Sequence, residues 1–175
     1  APDILLVQGD TTTAFCGALV AFYHQVTVGH VEAGLRTGRK LSPFPEEMNR
    51  RLISQVADLH FAPTENARRA LVAEGVDQAA VFVTGNTVVD ALLWMRRKVA
   101  EQAPPISTAL GPWMEGRDVV MVTGHRRESF GGGLESICLA IRDVADARPG
   151  VVFVYPVHLN PCVREPVLRV LGAHA

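Results

Sequence analysis

Short apolar runs that each end in a polar cluster set the pattern of this chain. The runs are rich in valine and isoleucine and lack sustained alternation, as expected for parallel strands covered on both faces. Segments with helical patterns separate them. The clearest strands are therefore predicted at residues 4–7, 26–31, 119–122 and 151–157.

Helices are predicted between these runs, at residues 13–24, 45–56, 66–74, 88–100, 134–147 and 162–171. Local signals mark their ends. Pro45 suits a first helical position, Thr64 and Asn86 suit N-caps, and Gly75 and Gly150 suit helix stops. The resulting order, βαβαβαβα followed by a break and then βαβα, predicts an α/β fold with parallel sheets.

A proline-containing stretch interrupts the alternation. Residues 101–117 include Pro104, Pro105 and Pro112 and have the composition of a linker. We therefore predict two domains, at residues 1–100 and 118–175. Because the chain starts directly in a strand and stops just after a helix, we expect an internal segment of a longer protein.

Composition excludes several classes of function. Hydrophobic residues make up 48% of the chain, which is enough for a buried core. The net charge is −1 and the 17 basic residues are dispersed, so no basic face predicts binding to nucleic acid or to a membrane surface. Scattered cysteines, three in number, are typical of reduced thiols in a cytoplasmic protein and predict neither a zinc site nor a structural disulfide.

The polar clusters follow the carboxyl ends of the strands, where ligands bind in open α/β sheets. The first cluster, Gln8-Gly9-Asp10-Thr11, combines a permissive backbone, a carboxylate and a hydroxyl group at a strand-to-helix junction. Asp10 or Thr11 could instead only cap the following helix. The pattern as a whole predicts an anionic, phosphorylated ligand.

Acidic residues form the second group of candidates. Glu32 ends an otherwise apolar strand, so it either pairs with Arg36 or Arg39 or lies in the ligand crevice. Glu46 is in the first turn of its helix, where an acid also complements the helix dipole. It shares one helical face with Asn49 and Arg50, which predicts a polar wall.

The second half of the chain carries a cationic cluster, His125-Arg126-Arg127-Glu128, followed by three glycines and a helix. Cations and free backbone N–H groups at a helix start are suited to a phosphate or diphosphate. The cluster matches neither the dinucleotide fingerprint nor the P-loop pattern. His158 and Asn160 end the next strand, and His158 is either a structural histidine or part of the crevice.

These clusters together resemble the non-hydrolysing UDP-N-acetylglucosamine 2-epimerase family. The matching stretches occur in one order along the chain: VQGDTTTAF, GHVEAGLRT, PFPEEMNRRLI, ADLHFAPTE, VTGNTVVDAL, TGHRRESFG and PVHLNP. The resemblance implies two Rossmann-like parallel-sheet domains of the glycosyltransferase-B type, each incomplete in this chain. Residues 1–100 would be the C-terminal half of the first domain and residues 118–175 the N-terminal half of the second, nucleotide-binding domain, so we expect the segment to be inactive by itself. It implies no metal and no cofactor, a UDP-sugar substrate, a homodimer and a cytoplasmic role in cell-envelope polysaccharide biosynthesis.

The resemblance also implies an isomerase reaction, in which UDP is eliminated and added back through a 2-acetamidoglucal. The family's acidic catalytic positions correspond to Asp10, Glu32 and Glu46, and its active-site histidine to His125. We expect Glu32 and Glu46 to handle protons, unless Glu46 serves an allosteric site. Further candidates for substrate binding are Gln8, Thr11, Arg36, Arg50, Arg126, Glu128, His158 and Asn160.

Alternative functions stay open at this point. A hydrolysing 2-epimerase would release the free sugar, and a relative acting on a diacetamido-uronate sugar would need a further cationic contact. A glycosyltransferase of the same fold would require an acceptor. The non-enzymatic alternatives are a sugar-nucleotide sensor and an inert fragment.

Overall fold

A computed structural model of the chain describes residues 2–102, 110–124 and 130–172. The chain divides into two compact units, residues 1–103 and 104–175. This division falls inside the stretch whose composition predicts a linker. The assignment of each unit as half of a Rossmann-like domain stays a prediction.

The first unit is a four-stranded parallel sheet with its strands in chain order. Its strands are β1 (Ile4–Gln8), β2 (Thr27–Val31), β3 (Leu59–Ala62) and β4 (Val81–Val83). Its helices are α1 (Thr12–Tyr23), α2 (Glu46–Val56), α3 (Glu65–Ala73) and α4 (Thr87–Glu101). A 3-10 turn, Gln78–Ala80, precedes β4.

The second unit contains a two-stranded parallel sheet, formed by β5 (Asp118–Met121) and β6 (Val151–Val154). Its helices are α5 (Gly111–Met114), α6 (Gly132–Ala147) and α7 (Pro161–Leu171). Leu134 and Cys138 of α6 pack against Val163 and Val167 of α7 in its core. The predicted α/β class with parallel sheets is therefore confirmed in both units.

Helix ends agree with most of the local signals. The hydroxyl group of Thr64 accepts a hydrogen bond from the N–H of Ala67, and the Asn86 side chain accepts one from Val88, so both are N-caps. Gly75 follows α3 with φ +93°, a conformation that favours glycine. Pro45 lies one position earlier than predicted, at the N-cap of α2.

Two elements differ from the sequence prediction. The predicted strand 151–157 ends at Val154, because Pro156 lacks the N–H that would continue the ladder. The stretch predicted as linker contains the last residue of α4 and the short helix α5. None of the helices in the described ranges combines the length and apolarity of a membrane span.

The core of the first unit fixes the sheet edge at which the acids lie. Small residues of α1, Ala14, Ala18 and Ala21, pack closely on Val7 and Val28. Register aligns Gln8 of β1 with Val31 of β2, so the two strands end level with each other. The residues that follow, at positions 9–10 and 32–33, therefore emerge side by side.

Candidate functional site

Glu32 lies beside the glycine turn that follows β1. The Gly9 N–H donates to the carbonyl of Val31 over 3.0 Å. A Cβ atom added at Gly9 would be 3.5 Å from Glu32 Oε2. Gly9 itself has φ +72°. Because Gly9 has no Cβ atom, the turn can adopt its left-handed conformation and its backbone can lie close to the Glu32 carboxylate.

The backbone of Glu32 is strained. Its φ is +68°, in the left-handed region that non-glycine residues rarely adopt. The carboxylate accepts a hydrogen bond of 3.1 Å from the amide group of Asn86, the N-cap of α4. Of the two predicted alternatives for Glu32, the ion pair with Arg36 or Arg39 does not form. Within residues 2–102, Glu32 makes no salt bridge. The strand end therefore presents a carboxylate held by a neutral partner.

Asp10 is held by α2 at both its carboxylate and its backbone. Arg50 donates to Asp10 Oδ2 through Nε over 2.8 Å and through Nη2 over 2.6 Å. The amide group of Asn49 donates to the Asp10 carbonyl over 2.8 Å. Asn49 and Arg50, two of the three residues on the predicted face with Glu46, therefore both contact Asp10, and the role of this face as a polar wall stays a prediction. Arg50, predicted to bind substrate, lies against a catalytic candidate.

Thr11 caps α1, as one of the two alternative readings of this cluster predicts. Its hydroxyl group accepts a hydrogen bond of 3.1 Å from the N–H of Ala14. Its substrate contact stays a prediction. Gln8 is exposed at the end of β1 and forms a long hydrogen bond of 3.4 Å to the Thr87 hydroxyl group. A ligand could displace that bond at low cost.

Glu46 is half-buried in the first turn of α2. Within the described ranges its carboxylate has no hydrogen bond or ion pair to another side chain. Its place supports either a helix-dipole contact or a proton-handling role, and the latter stays a prediction.

Glu47 is the acid that the sequence analysis missed. It is fully buried, and its carboxylate accepts hydrogen bonds from the N–H groups of Thr37 and Gly38 over 3.1 and 3.2 Å. It also forms ion pairs with Arg50 at 3.2 Å and Arg51 at 3.5 Å. The spacing of Glu47 to two arginines, i+3 and i+4, was a signal that could have identified it.

The pKa of Glu47 is lowered despite its burial. Burial alone would raise it, but the backbone hydrogen bonds from Thr37 and Gly38 and the charge of Arg50 outweigh that effect. Glu47 is therefore ionised and anchors the loop 32–45 to α2.

Arg36 points away from the predicted crevice. Its guanidinium binds the Glu74 carboxylate, with distances between 2.7 and 3.1 Å, and donates to Ser54 Oγ over 3.0 Å. Ser54 and Glu74 lie at the C-terminal ends of α2 and α3, towards the starts of the next strands. Hydrogen bonds from Arg36 lower the pKa of Glu74. This placement favours a structural role, and substrate binding by Arg36 stays a prediction.

A second buried residue that the sequence analysis missed supports the Gly9 turn. His30 of β2 is fully buried, and its Nε2 donates to the Gly9 carbonyl over 2.8 Å. Burial lowers the pKa of His30 to about 4, although the hydrogen bond to Gly9 opposes the shift. A neutral histidine thus holds the turn that leads to Asp10.

In the second unit, Asn160 is the N-cap of α7, and its side chain accepts a hydrogen bond of 2.9 Å from the N–H of Cys162. The N–H of Asn160 donates to His158 Nδ1 over 3.0 Å. Tyr155 donates to the carbonyl of Gly124 over 2.6 Å. The remaining candidates, His125, Arg126 and Glu128, lie outside the described residues. His158 and Asn160 therefore have local structural contacts, and their substrate contacts stay predictions.

No group of three or more histidine, cysteine or acidic side chains suited to a metal ion occurs in the part of the chain that the structure describes. Asp10, Glu32 and Glu47 are held by arginines, an amide group and backbone N–H groups. That arrangement is suited to proton transfer and charge stabilisation.

Comparison with known proteins gives consistent matches along the whole chain. The family model described as UDP-N-acetylglucosamine 2-epimerase matches residues 1–175. The chain is 53% identical over 174 residues to a UDP-N-acetylglucosamine 2-epimerase from Yersinia pestis, covering 97% of this chain and 46% of that protein. It is 52% identical over 174 residues to the Escherichia coli K12 enzyme of that name, covering 98% of this chain and 46% of that protein.

Solved structures give the same result. The structure of a UDP-GlcNAc 2-epimerase from Neisseria meningitidis matches with a TM-score of 0.89 and 44% identity, covering 99% of this chain and 47% of that one. The chain spans about half the length of the curated relatives that it matches. By sequence and by fold, this chain belongs to the UDP-N-acetylglucosamine 2-epimerase family.

Proposed function

We propose that the whole protein to which these residues belong interconverts UDP-N-acetylglucosamine and UDP-N-acetylmannosamine. The observation that carries the proposal is the Glu32 carboxylate, which lies beside the Gly9 turn on a strained backbone and has no cationic partner within residues 2–102. Strain of this kind costs about 1–3 kcal/mol and tends to cluster at functional sites. The Neisseria meningitidis relative is described as bound to UDP-GlcNAc, which supports the substrate class.

The proposed reaction runs through elimination, because the C2–H of the sugar is not adjacent to a carbonyl group. A base removes the C2 proton, the C1–O bond to UDP breaks, and the C1–O electron pair leaves with the diphosphate. A 2-acetamidoglucal with a C1–C2 double bond remains. UDP then adds back at C1 while a proton is delivered to the opposite face of C2.

Each of the four catalytic candidates has a part in this reaction. We assign proton transfer to Glu32 and Glu46 and charge stabilisation to Asp10, whose carboxylate is fixed by Arg50. The family resemblance assigns His125 and Arg126 to the departing diphosphate. A cytoplasmic homodimer that serves cell-envelope polysaccharide synthesis is part of the same proposal.

Solvent exchange tests the mechanism directly. The full-length protein, incubated with UDP-N-acetylglucosamine in heavy water, should give UDP-N-acetylmannosamine that carries deuterium at C2. Mass spectrometry and NMR would locate the label. Product without deuterium would refute the elimination mechanism, and free N-acetylmannosamine together with UDP would identify a hydrolysing enzyme instead.

A substitution tests the assigned base. We expect Glu32→Gln to lower kcat by at least about 10²-fold, since a general base typically contributes that much or more. The matched control is Glu65→Gln at an exposed acid in the first turn of α3, which pairs with Arg68. Equal turnover of the Glu32→Gln variant and the control would show that Glu32 does not act as the base.

A further inference from the structure

The buried acid Glu47 joins two parts of the first unit that carry catalytic candidates. On one side its carboxylate receives the N–H groups of Thr37 and Gly38, which belong to the loop 32–45 that starts at Glu32. On the other side it contacts Arg50 at 3.2 Å. One carboxylate therefore holds both a loop and a cation.

Arg50 links Glu47 to Asp10, because it binds both carboxylates. Its Nη1 binds Glu47, while its Nε and Nη2 both bind Asp10 Oδ2. The guanidinium is planar and rigid, so fixing one of its edges orients the other. The side chain of Arg50 is 14% exposed and that of Glu47 is 0% exposed, so little solvent competes for these contacts.

A second acid, Glu74, anchors the same loop without this connection. Its carboxylate binds Arg36, one residue before Thr37, and so holds the loop against the end of α3. The described contacts of Glu74 do not include Arg50 or Asp10. The chain therefore offers a matched pair of acids that anchor one loop, of which Glu47 alone also contacts Arg50.

We propose that Glu47 is a positioning residue, which orients the Asp10 carboxylate through Arg50 and at the same time sets the loop that begins at Glu32. This inference rests on the proposed function for its catalytic consequence. It goes beyond that function because Glu47 itself need not touch the substrate. Burying the Glu47 carboxylate costs desolvation free energy, even though two backbone N–H groups and two arginines hold it. That cost argues that the position of this carboxylate serves the site.

Hydrogen–deuterium exchange tests the connection without any assay of activity. In the full-length protein, Glu47→Gln should speed amide exchange both in the loop 32–45 and at the junction 9–14 around Asp10. The control Glu74→Gln should speed exchange in the loop but not at the junction. If both variants leave the junction unchanged, or both change it equally, the connection through Arg50 is refuted.

Kinetics then test the consequence. We expect Glu47→Gln to lower kcat by about 10- to 100-fold with KM changed by less than about twofold, because small misplacements of a catalytic group act mainly on the transition state. Glu74→Gln should keep kcat within about threefold of the wild-type value. If Glu47→Gln fails to fold, Arg50→Lys replaces it, since lysine cannot bridge both acids in the same way.

Non-additivity completes the test. If Glu47 acts through Arg50, adding Glu47→Gln to Arg50→Lys should lower kcat by less than about twofold further. Independent, multiplying effects would refute the proposal. A wild-type protein without epimerase activity would refute the proposed function and leave the exchange experiment to decide whether Glu47 positions Asp10.

Discussion

Acidification should destabilise the first unit through His30. This histidine is fully buried, and its pKa is lowered to about 4 from an ordinary value of 6.5. Below pH 6.5 the unfolded chain binds a proton at this position that the folded chain does not. The free energy of unfolding therefore falls as the pH drops from 6.5 towards 4, by about 2.5 kcal/mol between pH 7 and pH 4.5.

Urea unfolding of the full-length protein at about pH 7 and about pH 4.5 measures this loss. His30→Gln removes the titrating group, so its free energy of unfolding should fall by about 2.5 kcal/mol less over the same range. His24→Gln, at an exposed histidine after α1, is the matched control and should follow the wild type. A wild-type loss equal to that of His30→Gln would refute a buried neutral His30.

Two further pairs of substitutions test the backbone and the caps. Gly34→Ala should cost at least about 3 kcal/mol, since φ is +87° and a Cβ atom would collide with the Ala67 carbonyl, whereas Gly38→Ala should cost about 1 kcal/mol in open space. Thr11→Ala and Thr64→Ala should each cost about 1 kcal/mol through the lost cap. Urea unfolding measures all four variants, and a loss of kcat/KM confined to Thr11→Ala would add a substrate contact to its capping role.

Local patterns were enough to predict most of the fold. Apolar runs and helix signals predict the bounds of helices α1 to α4 within about two residues. They also predict that Thr64 and Asn86 are N-caps. Both kinds of signal are local, because caps and periodicity depend on neighbours in sequence. The alternation of strands and helices likewise predicted parallel sheets, which the register confirms.

Partners of charged residues could not be predicted in the same way. Arg36 is four residues from Glu32 in sequence, yet it binds Glu74, 38 residues away, because the fold brings the ends of α2 and α3 to its guanidinium. Glu46 and Glu47 are adjacent and chemically alike. Glu47 is the one that Thr37 and Gly38 of the loop 32–45 contact, and it is fully buried.

The two acids that follow β1 and β2, Asp10 and Glu32, differ in what holds them, and that difference argues for separate roles. Asp10 forms an ion pair in which Arg50 donates two hydrogen bonds to the same carboxylate oxygen. Glu32 accepts one hydrogen bond, from the neutral amide group of Asn86. Because Arg50 holds the Asp10 carboxylate in one orientation and a single neutral donor holds Glu32, we infer that Glu32 carries the proton and Asp10 supplies a fixed charge.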